Sequence, residues 1–290
     1  MAATVREVAQ LAGVSPSTVS RVFTAPDQVQ EATRQRVTDA ARQLGYRPDP
    51  AARTLRSGRT ESLGLVVPDI ANPFFPPIVK KVDGLVLWAS TLSDGRLQEL
   101  AREIPLVLVN RQVKGIPELH ISLTSGISQA AEHLRALGHT SCVFVNCSRP
   151  EHLRGKSIRE TFDAQGLSVV ELGPYEPRFE TGLHAATLAV ANGATAILAH
   201  NDLVAIGVLH QLAHSGVDVP GQVSVIGIDD TLLAAMSIPA LTTIRISPQT
   251  VATHATDLIV ETINGAEPQS VEVGSRLIPR ASTGPAPHRA

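Results

Sequence analysis

Apolar residues in the first 45 positions recur at helical spacing. Val5, Val8, Ala9 and Leu11 supply one face. Val19 and Val22 supply a second, and Val37, Ala40, Ala41 and Leu44 a third, on a helix predicted over 31–44. Thr4 and Glu7 have the spacing of a capping box, in which the hydroxyl accepts from the first turn and the carboxylate reaches back. Gly13 allows a sharp turn, and Ser15 caps a second helix that has Pro16 in its first turn, where a missing N–H costs nothing. Ser17, Thr18, Ser20 and Arg21 fall on the outer faces of that helix. Two short helices about a glycine turn, the second polar outside, describe a reader of the DNA major groove, which admits one helix. A small helical bundle that binds nothing has the same pattern, and spacing alone leaves the two readings level.

After Thr60 the rhythm changes. Residues 63–67, 84–88, 106–109, 141–145, 196–199 and 223–227 are short apolar runs that predict buried strands, with helical patterns such as 126–137 and 203–215 between them. Alternation of this kind predicts parallel α/β sheets, whose ligands bind beyond the carboxyl ends of the strands.

Charge separates the two regions. Residues 1–60 hold nine arginines against five acids, a balance of +4, while the remaining 230 residues stand at −6. A basic head on an acidic body suggests that the head meets a polyanion, although ordinary surface charge would look the same. A basic segment followed by a long apolar run is lacking at the start, so no export signal is expected. With no apolar stretch of membrane-spanning length and only Cys142 and Cys147, the reading is a cytoplasmic protein with reduced thiols and no membrane partner.

The residues of the head carry more than their spacing. Val5 to Ala9, then Ala12-Gly-Val-Ser-Pro-Ser-Thr-Val-Ser-Arg-Val22, closely resemble the head of the lactose-repressor (LacI/GalR) family. The likeness continues through Thr33-Arg34, Gly45-Tyr-Arg-Pro48 and Ala52 to Thr60. The resemblance implies that Pro16, Ser17 and Arg21 read bases, Arg21 being suited to pair bidentately with guanine. It implies that Thr4, Ser15, Thr24 and Thr33 contact phosphates, which fixes register without reading sequence. Thr4 and Ser15 are helix caps with or without DNA, and one hydroxyl can serve both roles. Leu55 stands where the family's hinge helix wedges a leucine into the minor groove. Asp49-Pro50 replaces the usual Asn-Ala there: the pair favours the helix, the carboxylate opposes phosphates, and sequence leaves the net sign open.

The body continues the resemblance through 69–75, 133–139, 200–202, 223–230 and 239–245. The family's sensor has two lobes like those of periplasmic sugar-binding proteins, with an effector between them. By that resemblance Arg154, Asn201 and Asp229 contact the effector and Phe74 and Phe75 wall its cleft. Arginine and aspartate can each make paired hydrogen bonds to a polyol, and rings can stack on it. Asn201 and Asp229 each follow a strand and could equally cap helices. Tyr175 is a loosely placed further stacking face.

Two departures stand out. Ser122-Leu123 replaces a frequent effector-binding aspartate. Residues 76–83 run almost directly into the strand at 84–88, where family members insert a further strand and helix, so a βα-sized block is missing from the first lobe. The expectation is a sheet edge without its outer strand, and with it an altered sensor or weaker pairing.

No phosphate-binding loop or nucleophile elbow occurs, and His210-Gln-Leu-Ala-His214 lacks the glutamate of a zinc protease and reads as a solvated helix. Cys142 reads as a small core residue. The expected organisation is an all-α helix-turn-helix head over 1–45, a hinge over 46–60, a two-lobed α/β sensor of parallel sheets over 61–283, and a disordered tail over 284–290. The expected function is a DNA-binding regulator, a repressor acting as a homodimer on operator DNA and answering to a sugar-like effector, with no cofactor, metal or catalysis. The alternatives are a ligand-binding module with a vestigial head, a regulator that has lost effector response through the deletion, and an α/β enzyme that lacks a catalytic constellation.

Overall fold

The computed structural model describes residues 3–46, 63–66, 83–88, 90, 92–147 and 154–287. The chain divides into two compact units, one holding the N-terminal helices and one holding the α/β body.

In the first unit, α1 (Val5–Ala12) and α2 (Pro16–Thr24) lead through a 3-10 turn (Pro26–Gln28) to α3 (Glu31–Gln43). The capping box is present: Glu7 N–H donates to Thr4 Oγ1 at 3.4 Å, and Thr4 N–H donates to the Glu7 carboxylate at 2.7 Å. Gly13 takes φ +65°, which a side chain would oppose. Val8, Ala9, Ala12, Val19, Val22, Val37, Ala40 and Ala41 form the core. Two expected core residues are outside it. Leu11 is exposed, because at 100° per residue the face through Val5, Val8 and Ala9 continues to Ala12. Leu44 is also exposed: it lies beyond the last turn of α3, whose end is covered by Tyr46, its ring 6.0 Å from Phe23.

The strands form two sheets. The first has the order β1-β2-β3-β4-β10, with β1 (Leu63–Val66), β2 (Gly84–Trp88), β3 (Leu106–Val109), β4 (Glu118–Ile121) and β10 (Ser270–Val273). From β2 to β10 all pairings are parallel. α4 (Asp94–Glu103) lies between β2 and β3 in sequence, and α10 (Pro248–Ile263) packs on β2, β3, β4 and β10. Among the described residues β1 ends this sheet. The crossover from β1 to β2 lies outside the described residues.

The second sheet has the order β11-β9-β8-β7-β5-β6. It comprises β5 (Ser141–Val145), β6 (Ser168–Leu172), β7 (Ala196–Ala199), β8 (Ser224–Asp229), β9 (Thr242–Ile246) and β11 (Ser275–Ile278). Only β11 runs antiparallel, against β9. The helices of this lobe are α5 (Thr124–Ala136), α6 (Arg154–Ala164), α7 (Phe179–Ala191), α8 (Asp202–His214) and the short α9 (Leu232–Met236). The core is aliphatic, built from Val143, Val145, Ile197, Val204, Val208, Leu212, Val225 and their neighbours.

Among the described residues the chain passes between the sheets three times: through Ser122-Leu123, through Ser247, and through Gly274. The body is therefore two lobes joined by three short crossings. The segment from Gly284, expected to be disordered, is tied down as far as Ala286. Gly284 N–H donates to Ser224 Oγ at 3.1 Å and Ala286 N–H to Leu137 O at 2.7 Å, so its backbone groups find partners in the second lobe.

Candidate DNA-reading helix and effector cleft

α2 has one buried side and one open side. Val19 and Val22 are in the core, while Pro16, Ser17 and Arg21 are exposed. Ser17 and Arg21 are four residues apart and share a face. Ser15 Oγ accepts from Thr18 N–H at 3.1 Å and is 2.7 Å from Ser17 Oγ. Pro16 occupies the first helical position. Arg21 makes no ion pair among the described residues, so its guanidinium is available to an outside acceptor. Thr4 is committed to its cap, and Thr33, at the start of α3, accepts weakly from Arg36 at 3.5 Å. The side chain of Thr24, the hinge with Leu55, and Phe74 and Phe75 all lie outside the described residues.

In the body, three expected site residues sit at the carboxyl ends of second-lobe strands or on the segments that follow them. Arg154 opens α6, half-buried, and its Nη1 donates to His200 O at 3.1 Å and lies 3.1 Å from His200 Nε2. Asp229 ends β8 with φ +115°, and Asp230 follows at φ +56°. Two successive non-glycine residues at positive φ cost on the order of 1–3 kcal/mol each, a strain typical of functional sites. Burial and the nearby Asp202 push the Asp229 carboxyl up to about 7, while the Arg154 guanidinium pulls it down. Burial works against the charge on Arg154, and Asp229 supports it. The two charges thus act on one another. Asn201 is the cap of α8: it is buried and its Oδ1 accepts from Val204 N–H at 3.0 Å. Capping therefore accounts for that oxygen. Tyr175 is exposed, its backbone N–H bonded to Asn146 O at 3.0 Å.

Behind the cleft are residues to which sequence reading gave no role. Asp202, fully buried, accepts from Thr243 Oγ1 at 2.6 Å, Thr231 N–H at 2.7 Å and Thr231 Oγ1 at 3.0 Å, which fixes the turn carrying Asp229. Burial pushes its carboxyl up to about 6 against those hydrogen bonds. Asp230 pairs with both Arg245 and Arg280. The only signal for Asp202 was an acid at a helix start, which is common for helix-dipole reasons alone.

These raised carboxyls have a sign that can be checked. Each binds its proton more tightly folded than unfolded, so its charging costs stability as pH rises from about 4 towards 6 or 7. His133 and His139, lowered by burial, act oppositely below about 6.5, so the useful quantity is a difference between proteins. Asp229→Asn should gain stability relative to wild type across that window and hold the gain above it. Urea denaturation at pH 5 and pH 8 measures it; a constant difference between the two proteins would mean Asp229 is not titrating there.

Comparison with known proteins places this geometry. Residues 4–49 match the model of bacterial regulatory proteins of the lacI family, and residues 131–283 match the periplasmic binding protein-like domain. The transcriptional regulator GalR of Salmonella typhimurium (strain SL1344) is 34% identical, with 88% of each chain covered. The chain belongs to the lacI family. It is a DNA-binding transcriptional regulator with a helix-turn-helix head and a periplasmic-binding-protein-like body, in a family of regulators and not of enzymes.

Two solved structures show the same architecture. The lac repressor dimer bound to operator and the anti-inducer ONPF superposes with a TM-score of 0.73 at 21% identity, over 98% of this chain and 100% of that one. The regulator CelR in complex with cellobiose gives 0.64 at 26% identity, over 97% and 99%. The GalR alignment spans 304 positions but takes in 88% of these 290 residues, about 255, so roughly fifty positions hold no residue here, more than the ~30 of a βαβ unit. Among the described residues, no helix is long and apolar enough to cross a membrane.

Proposed function

We propose that this chain is a cytoplasmic repressor that binds a palindromic operator as a homodimer and answers to a small polar effector of the sugar class. Residues 1–45 would be the reading head, 46–60 a hinge with Leu55 as its minor-groove wedge, and 61–283 the sensor. The observation that carries this reading is the two-sided α2: its inner valines build the head while Ser17 and Arg21 are exposed on the outside. That placement supports base contacts by Pro16, Ser17 and Arg21, and the resemblance of the head to the lacI family supports phosphate contacts by Thr4, Ser15, Thr24 and Thr33.

Arg154 and Asp229 suit a polyol, since one donates and the other accepts in pairs, and Asn201 adds an amide at the same strand ends. By the family resemblance Phe74 and Phe75 would wall the cleft. Pairing is supported by an apolar surface around α9, where Leu232, Met236 and Ile238 are 75%, 68% and 94% exposed. Large exposed apolar groups so close together suit a partner copy better than water.

The same regulator without effector response is the second reading, favoured by the unfilled alignment positions and by β1 at the sheet edge. Footprinting of the full chain on its own upstream DNA, with a panel of mono- and disaccharides, separates them. A protected palindrome that fades or strengthens with one sugar supports the proposal. A protected palindrome indifferent to every sugar supports the second reading. A folded protein that protects no duplex at low ionic strength defeats both.

A further inference from the structure

β9 and β11 form the antiparallel edge of the second lobe, and their register sets Arg245 directly opposite Arg276. Side chains so placed lie on one face with Cβ atoms ~5 Å apart, and like charges there are destabilising unless something lies between them. Arg245 has a partner in Asp230, but Asp230 also pairs with Arg280, so one carboxylate serves two guanidiniums. Arg276 is exposed and makes no ion pair among the described residues. Three arginines and one carboxylate leave a surplus of positive charge.

Two of these arginines and the carboxylate face a cavity, which leaves it net positive. Asp230, Arg245, Ser247, Gln249, Gly274 and Arg276 line a groove of about 610 Å³, a size suited to a small molecule. The first turn of α10 opens onto it, adding the positive end of a 16-residue helix. Arg154, Asn201 and Asp229 are not among its lining residues. Ser247 and Gly274, two of the three crossings between lobes, are.

We propose that this groove binds a small phosphate-bearing ligand at a site separate from the effector cleft. Planar guanidinium forks from Arg245 and Arg276 would hold the phosphoryl oxygens from both strands, which removes the repulsion between them. A ligand resting on both crossings fixes the angle between the lobes, so the site is placed to act as a second input to the sensor.

The test is titration calorimetry of the full chain at low ionic strength with inorganic phosphate, ribose 5-phosphate and ribose. Saturable binding of one or both phosphates, weakened at least tenfold by Arg276→Glu and less by Arg276→Lys, supports the site. Binding of phosphate alone identifies the free ion as the ligand; tighter binding of the sugar phosphate identifies the ester. Asp229→Asn should leave phosphate affinity unchanged. The proposal is overturned if no phosphate saturates, if Arg276→Glu and Arg276→Ala bind as wild type does, or if Asp229→Asn abolishes binding, which would put the anion in the effector cleft. Circular dichroism of the folded variants keeps loss of binding distinct from loss of fold.

Discussion

Alanine in place of Arg21 should weaken operator binding by about 1–3 kcal/mol, roughly 5- to 150-fold, and leave the head folded. The size follows from geometry. Arg21 is exposed on α2, one turn after Ser17, and no carboxylate among the described residues holds it. A guanidinium that pairs with a guanine edge loses two charge-assisted hydrogen bonds when truncated, and the base is left facing a gap. The core residues Val19 and Val22 are untouched, so the thermal transition of the head should not move. Specificity distinguishes base reading from simple charge. Arg21→Ala should lose more affinity on the operator than on random duplex, whereas loss of a phosphate contact weakens both alike and lowers the salt slope by about one. Fluorescence anisotropy on both duplexes at several salt concentrations gives the answer, and equal losses would remove Arg21 from the base-reading set.

The second large effect is on stability. α7 and α8 touch backbone to backbone through Gly182 and Gly207. A Cβ on Gly182 would lie 2.1 Å from Val204 O and 2.7 Å from Val208 N. One on Gly207 would lie 2.1 Å from Phe179 O and 3.0 Å from Gly182 Cα. Alanine is favoured over glycine in a helix by about 1 kcal/mol, so a helix free of neighbours would gain from either change. Here the obstacle is backbone that cannot rotate aside, so the helices must separate and loosen the contacts of Ala185, Ala186, Val204 and Val208. Overpacking of this kind costs about 1–3 kcal/mol beyond the propensity gain, and sometimes more. Each single variant should therefore melt below wild type. The double variant should lose less than the sum, because the first methyl has already opened the space for the second. A melting temperature equal to or above wild type in either single variant would contradict the close approach.

How far the sequence carries can be seen residue by residue. The head was legible because its signals are local. Thr4 with Glu7, Gly13, and Ser15 with Pro16 act within one turn of the chain, and the structure has all three where spacing put them. Its errors, Leu11 and Leu44, came from counting apolar residues at helix ends, where neighbouring helices decide what is covered. The strands at 84–88, 106–109, 141–145 and 196–199 were legible because parallel strands covered on both faces are continuous apolar runs. β6, β10 and β11 gave no such signal, being short and half-polar, and only their pairing with β5, β4 and β9 makes them strands.

The chemistry divides along the same line. Sequence by itself determined the helix proposed to read DNA, since the residues that fold it and the residues it displays lie within eight positions of one another. Tertiary structure alone decided the rest. It set Arg154 against His200 and near Asp229, hung the Asp229 turn on a buried Asp202, and set Arg245 across from Arg276. Those partners are separated by about thirty to seventy-five residues. The first three meet because parallel strands return to the same sheet end after each crossover helix, and the arginines because β11 comes back antiparallel along β9.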